Sequence, residues 1–442
     1  MKIYVINKLN PLIIIAFLFL LSFDSLAEDL LSVYKTAIQN DPKFHAAEAE
    51  YRAQLEAKNQ SIALFLPTLS ASANYTENDN KVDTTVTTPY KYKSTGYNLQ
   101  LTQSLYSHAN YAGLKLANAQ VAQAQATFEY EKQDLIIRVA TRYFAVLAAE
   151  DDMDFAIAER KSIREQLMQS EQRFNAGITA ITDVYEARAR YDQSVARAIV
   201  AENTLAISHE TLREITAKNY KVLSLLSAKH PLVKPEPDNI NTWVTTANTQ
   251  NVLLIASRKN VDAAVAEISR QSAGHYPTLD LIANHSYTDY GDGNTIGQRK
   301  QENNSILIQL NIPLYQGGLI NSRTRAATLR LTQARAKLEQ QKRATEKLTR
   351  NSYLSVIANI SQVKALKQAL ASSSIALKAT QAGFEVGTRT AVEVLNSQRE
   401  LYRARRDFAQ ARYNYTLETL QLKLAAGTLS LIDVEQLNFW LK

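Results

Sequence analysis

The stretch QAGFEVGTRTAVEVLNSQRELY, residues 381–402, decides the fold, because a degraded copy of it, QRFNAGITAITDVYEARARY, occupies 172–191. Superposing Gly387 on Gly177 also aligns Phe384 with Phe174, Val392 with Thr182 and Glu393 with Asp183, all at an offset of 210. In each copy a phenylalanine and then a glycine fit a helix end with the glycine in the left-handed region. Thr390 with Glu393 three residues later is a capping-box pattern that starts a new helix. Each copy therefore reads as the tip of a helical hairpin, near 175–183 and near 384–393, and the chain as a tandem repeat.

The repeat extends outward from the tips. Ala37 in YKTAIQNDP pairs with Ala247 in VTTANTQNV, LPTLSASANY (66–75) with YPTLDLIANHSY (276–287), and REITAKN (213–219) with KLAAGTL (423–429). A period this long does not suit a solenoid and implies two homologous halves of one architecture. The halves run over 28–216 and 251–426. Between them, 217–250 carries Pro231, Pro235 and Pro237 and breaks the helical pattern. That linker and the C-terminal 427–442 are expected to form a non-coiled belt around the middle of the molecule.

Within each half two segments switch to a period of two, at about 67–77 and 96–106 and again at about 277–287 and 305–315. Leu69, Ala71, Ala73 and Tyr75 alternate with Thr68, Ser70, Ser72 and Asn74; Ile306, Ile308 and Leu310 alternate with Gln309 and Asn311. Each strand is long enough for a tilted bilayer crossing, and polar loops at 78–95 and 288–304 join them in pairs. Alternation alone fits a small soluble sheet equally well. Four strands cannot close a transmembrane barrel, so a lipid-embedded form requires oligomerisation, and three copies would supply twelve strands.

The remainder is helical. Helices are expected from about Ser107 to Asn175, Thr182 to Thr216, Leu319 to Glu385 and Ala391 to Ala426, with Ile136, Val139, Ala140, Tyr143 and Leu147 marking one apolar stripe. Only 12 glycines and 9 prolines in 442 residues favour such uninterrupted helices over a loop-rich enzyme. Lengths like these point to coiled-coil packing. Residues 1–27 read as a secretory signal peptide, with Lys2 and Lys8 before an apolar run at Leu12–Leu21 and Ser25-Leu26-Ala27 as the cleavage site. The chain has no cysteine, and its net charge of +7 is spread along it, so neither disulfides nor a nucleic-acid footprint is expected.

The order of strands, long helix, tip and helix, given twice, resembles the TolC family of outer-membrane channel proteins. The matching motifs are ITDVYEARARYD (181–192), HYPTLDL (275–281), IPLYQGGLINS (312–322), GTRTAVEVL (387–395) and ARYNYTLETLQLKLAAGTL (411–429). The resemblance implies a mainly α homotrimer in which a twelve-stranded transmembrane β-barrel, four strands per protomer, continues into an α-helical coiled-coil tunnel across the periplasm. It further implies outer-membrane lipid around the barrel, a periplasmic adaptor (membrane-fusion) protein and an inner-membrane RND or ABC-type transporter. The function implied is the exit duct of a tripartite efflux pump, of type I secretion, or of both.

The resemblance also places a gate at the tips. It assigns the closed periplasmic entrance to Arg389 bonding Thr182 and Asp183, with Phe384 where the family's pattern has a tyrosine whose hydroxyl adds a further link. The pattern's two acidic rings fall on Glu393 and Asn396, and only Glu393 is charged, so three carboxylates rather than six are expected in the trimer. Read without the resemblance, Asp183 and Glu393 are ordinary N-terminal caps and Arg389 an exposed turn residue.

No catalytic pattern accompanies these features. The six histidines show no metal-ligand spacing, and no P-loop, nucleophile elbow or dinucleotide fingerprint occurs, so neither enzyme activity nor a cofactor is expected. The run Glu150, Asp151, Asp152 and Asp154 reads as a solvated helix face rather than a metal site. The competing function class is a cell-surface structural or adhesive coiled-coil protein. Two matched strand hairpins at one end argue against it, since a stalk has no use for them.

Overall fold

The computed structural model describes residues 27–80, 90–291 and 300–442; up to residue 26 the expected leader lies outside them. The first half comprises α1 (Leu30–Asn40), α2 (Pro42–Ala63), β1 (Thr68–Asn80), β2 (Tyr90–Ser107), α3 (His108–Asn175) and α4 (Ile181–Thr216). The second repeats it as α5 (Ile240–Gln250), α6 (Val252–Ser272), β3 (Thr278–Tyr290), β4 (Lys300–Asn311), α7 (Leu319–Glu385) and α8 (Ala391–Ala426), and α9 (Leu431–Asn438) follows.

The strands form one antiparallel sheet in the order β1-β2-β3-β4. Its register sorts the side chains by face. Leu69 pairs Leu101, Leu101 pairs Ala283 and Ala283 pairs Ile306, while on the opposite face Ser72 pairs Asn98, Asn98 pairs Ser286 and Ser286 pairs Asn303. The apolar face is bare: Ile306 is 80% and Leu69 74% exposed, an arrangement water penalises and hydrocarbon does not. A row of aromatics closes it at one end, where Tyr97 stacks on Tyr287 with centroids 5.6 Å apart. At the other end the register shifts between Ser104 and Tyr106, so Tyr106 pairs Leu279 and joins the apolar face instead of the polar one. Aromatic girdles of this kind mark the two interfaces of a membrane barrel. β1 and β4 each keep one unpaired edge, which lipid does not tolerate, so a spanning form needs neighbouring copies of the chain to close the barrel.

The ladders of β1 and β2 run past the apolar band, to Asn80 and from Tyr90. Beyond the band the pairing is held by polar partners such as Lys91 on Asp79 at 2.9 Å. β4 ends at Asn311, ahead of 315, because Pro313 offers no N–H to the ladder. Among the described residues no helix is long and apolar enough to cross a membrane.

α3 and α7, 68 and 67 residues long, each span about 100 Å at 1.5 Å per residue. The shorter helices lie along them. Asp41 breaks α1 from α2 and caps the latter by accepting from the Phe44 N–H at 3.1 Å, and Asn251 does the same between α5 and α6 for the Leu254 N–H, also at 3.1 Å. Residues 240–250 of the linker are therefore helical, with Trp243, Val244 and Ala247 buried at helical spacing.

The largest core lies midway along α3, where α1, α4, α8, α9 and the linker converge on it. Tyr143 is fully buried there, donating to the Ser224 carbonyl at 2.7 Å, and short bridges pair Glu28 with Leu223 and Leu226 with Leu441. The acidic run sits beside this belt and is a solvated face only in part, with Asp154 exposed and the other three half-buried. Asp151 accepts from the Tyr413 hydroxyl at 2.6 Å, and Glu150 is half-buried. Burial, with Asp151 and Asp154 close by, pushes Glu150 up to about 7. A carboxyl raised in the fold weakens it once charged, a cost absent below the unfolded pKa and complete above the folded one. Glu150→Gln is therefore expected to stabilise the protein by about 1–2 kcal/mol near pH 8 and by little near pH 5, read as thermal midpoints. Equal shifts at both values would refute the assignment.

Candidate functional site

The two tips are built alike at their entry. At the end of α3 the Gly177 N–H bonds the Phe174 carbonyl and the Ile178 N–H bonds that of Arg173, at 2.8 and 2.9 Å; at the end of α7, Gly387 bonds Phe384 and Thr388 bonds Gly383, at 3.2 and 2.8 Å. This double closure needs a left-handed residue, and Gly177 and Gly387 hold φ of 73° and 81°.

They differ at their exit. α8 starts with the expected capping box: the Thr390 N–H donates to Glu393 Oε2 at 2.7 Å and the Glu393 N–H to Thr390 Oγ1 at 3.3 Å. The other carboxylate oxygen of Glu393 accepts from Arg389 Nη1, also at 2.7 Å. The Thr390 amide, then Arg389, hold the Glu393 carboxyl below its ordinary range. α4 has no side-chain cap; Ala180 stands at its N-cap, and Asp183 is the acidic residue of its first turn.

Within one chain, then, Arg389 meets Glu393 and not Thr182 or Asp183. Thr182 is exposed and Asp183 half-buried, and among the described residues neither side chain has a hydrogen-bond or ion-pair partner in the chain. Asn396 lies half-buried one turn after Glu393 on the same side of α8, and each Glu393 carries its own Arg389 as counter-charge. Phe384 is buried against Leu377, Ala391 and Val394. Slightly deeper, Leu395 packs with Ile163, Leu167, Val184 and Ala187, so the two hairpins of a protomer lie side by side near their tips.

The sequence reading passed over Arg173, whose guanidinium lies over the Phe384 ring. The repeat holds the signal. Arg173 aligns with Gly383, where a Cβ would come within 2.6 Å of Arg389 Cγ. In the second tip a side chain at this position would have to displace the turn's own Arg389; the first has Thr179 in the turn and leaves the position free for arginine. No group of three or more His, Cys, Asp or Glu able to hold a metal occurs among the described residues.

Comparison with known proteins bears on the repeat and the fold. A family model described as outer membrane efflux protein matches twice, over residues 33–218 and 243–428. The chain is 37% identical to outer membrane protein TolC of Vibrio cholerae over 99% of both chains. It is 29% identical to the alkaline protease secretion protein AprF of Pseudomonas aeruginosa over 95% of this chain and 89% of that one. Its fold superposes on the CmeC outer membrane channel of Campylobacter jejuni with a TM-score of 0.78, at 14% identity, covering 95% of this chain and 91% of that chain.

Proposed function

The chain belongs to the outer membrane efflux protein family, and on that premise we propose which of its residues gate it and what it serves. It is an outer-membrane channel rather than an enzyme, a homotrimer whose barrel continues into a periplasmic tunnel. The observation that carries this reading is the four-stranded sheet, with a bare apolar face and two open edges, at one end of helices about 100 Å long. A stalk would not need such a sheet.

The gate is assigned to Thr182, Asp183, Phe384 and Arg389, and the narrowest ring to Glu393 and Asn396. Unused bonding capacity supports this. Arg389 has five N–H donors, its side chain is 58% exposed, and one donor is taken by Glu393. Asp183 and Thr182 are acceptors without a side-chain partner among the described residues of their own chain, so a neighbouring protomer's Arg389 can complete both sides. A charge-assisted contact of this kind holds a tip closed and yields when a partner offers a better one.

The relatives include a protein named for protease secretion as well as TolC. The duct accordingly serves inner-membrane pumps through a periplasmic adaptor, with an RND transporter for small toxic molecules and an ABC transporter for polypeptides. A crosslinked pull-down from intact envelopes is expected to recover an adaptor with at least one of these pumps. Recovering neither would reject the export reading.

A further inference from the structure

Phe384, where the family's pattern has a tyrosine, is 6% exposed at the end of α7. Its own hairpin covers part of the ring through Leu377, Ala391 and Val394. Cover also comes from the other hairpin: Arg173, in the last turn of α3, holds its guanidinium carbon 4.6 Å from the ring centroid. Arg173 Nε is buried and has no hydrogen-bond partner. A guanidinium dried on one edge and laid on an aromatic face draws its compensating attraction from the ring quadrupole, and a drier setting strengthens that attraction.

The place of this contact matters as much as its chemistry. Arg173 stands two residues before the end of α3 and Phe384 one before the end of α7, so the pair ties the hairpins at their far ends. The apolar packing of Leu395 on Val184 and Ala187 lies further from the turns. Tips can therefore swing apart by breaking the Arg173–Phe384 contact while that packing acts as the pivot. A hydroxyl at residue 384 is not required for such a tie, because the ring itself is the acceptor.

We propose that Arg173 is a positioning residue of the entrance, a latch whose cation–π contact with Phe384 holds the two hairpin tips of one protomer together in the closed state. The proposal rests on the gate reading above and adds to it a contact made within the protomer by a residue outside the gate set.

The test is single-channel conductance of the full-length trimer in planar bilayers. Arg173→Ala and Phe384→Leu are each expected to raise the fraction of time spent conducting about tenfold, the equivalent of about 1.4 kcal/mol. The double variant should do no more than either alone, and Arg173→Lys should stay within about threefold of the parent, since a cation over the ring remains. Helical circular dichroism and trimer recovery identify variants that fail to assemble, and Arg173→Lys keeps the test open should Arg173→Ala be one of them. In that case, loss of closure by Arg173→Lys equal to that by Phe384→Leu would overturn the latch. Additive effects would also overturn it, as would Arg173→Ala conducting like the parent while Arg389→Ser opens the channel. If neither Arg173→Ala nor Arg389→Ser opens it, the gate reading falls as well.

Discussion

Asn251→Asp is expected to destabilise the protein by about 3 kcal/mol near pH 8, to recover about half of that loss near pH 5 and most of it near pH 4. Asn251 is 6% exposed at the break between α5 and α6, and its amide joins two helix ends. Oδ1 accepts the Leu254 N–H at 3.1 Å, while Nδ2 donates to the Ala425 carbonyl at 3.0 Å in the last turn of α8. A carboxylate keeps the first bond and turns the second into lone pair against lone pair in a dry site. The first half shows what a carboxylate needs there. Asp41 is 2% exposed and burial works to raise its pKa, yet Arg138 Nη2 at 2.7 Å and the Phe44 and Lys43 amides hold it below the ordinary range. Arg138 also bonds Asp134, and Lys43 spans Asp134 and Glu131.

At the equivalent places the second half has Leu348, Ala344, Leu253 and Gln341, so an aspartate at 251 lacks the cations that Asp41 and its neighbours have. Three of these, Leu253, Gln341 and Ala344, line a groove of about 430 Å³ where the first half has its ion network. The buried carboxyl would escape by taking up a proton, which restores the donor toward Ala425. Its folded pKa is raised, so its stability is present below the unfolded pKa and lost as pH rises through the folded one. Adding Leu348→Arg should restore part of the loss near pH 8. Thermal midpoints of Asn251→Asp that do not change with pH would defeat the argument, because a purely steric fault does not titrate.

The tips are legible in the sequence because they rest on local chemistry. Gly177 and Gly387 supply a φ that other residues resist, and Thr390 with Glu393 closes a box over three residues. The strands are legible as an alternating band because lipid and lumen sort every second side chain. Their far ends are less so, since pairs such as Lys91 with Asp79 are in the ladder yet read as polar loop. Asp151 belongs to a bond with Tyr413, and sequence position gives no hint of a partner 262 residues away. Arg173 is likewise far in sequence from Phe384, and only its alignment with Gly383 in the repeat sets it apart. Arg389 is a different case: its partner Glu393 is four residues on, at the spacing of an ordinary helix pair, and the resemblance drew attention across the gate to Asp183 instead.

Gly427→Ala is expected to cost about 3 kcal/mol, whereas Ala217→Gly at the equivalent position should change stability by less than about 0.5 kcal/mol. Both residues end a returning helix in the left-handed region, at φ 77° and 54°. Gly427 abuts the break between α5 and α6: a Cβ there would lie 2.4 Å from the Gln250 carbonyl oxygen and 2.7 Å from Asn251 Cα. These are backbone atoms, so relief requires α8 to withdraw from α6, which also stretches the Asn251–Ala425 bond. Left-handed strain of about 1–2 kcal/mol adds to the overpacking. Ala217 already carries that strain, and its β-carbon is accommodated. Replacing it with glycine relieves the strain and adds a similar loss of unfolded-chain entropy, so the two nearly cancel. Thermal midpoints of the two variants decide the matter. Equal and small changes would mean that the ends of α6 and α8 are not held in contact. A large loss confined to Gly427→Ala would identify their junction as a rigid joint through which the entrance hairpin is fixed to the barrel.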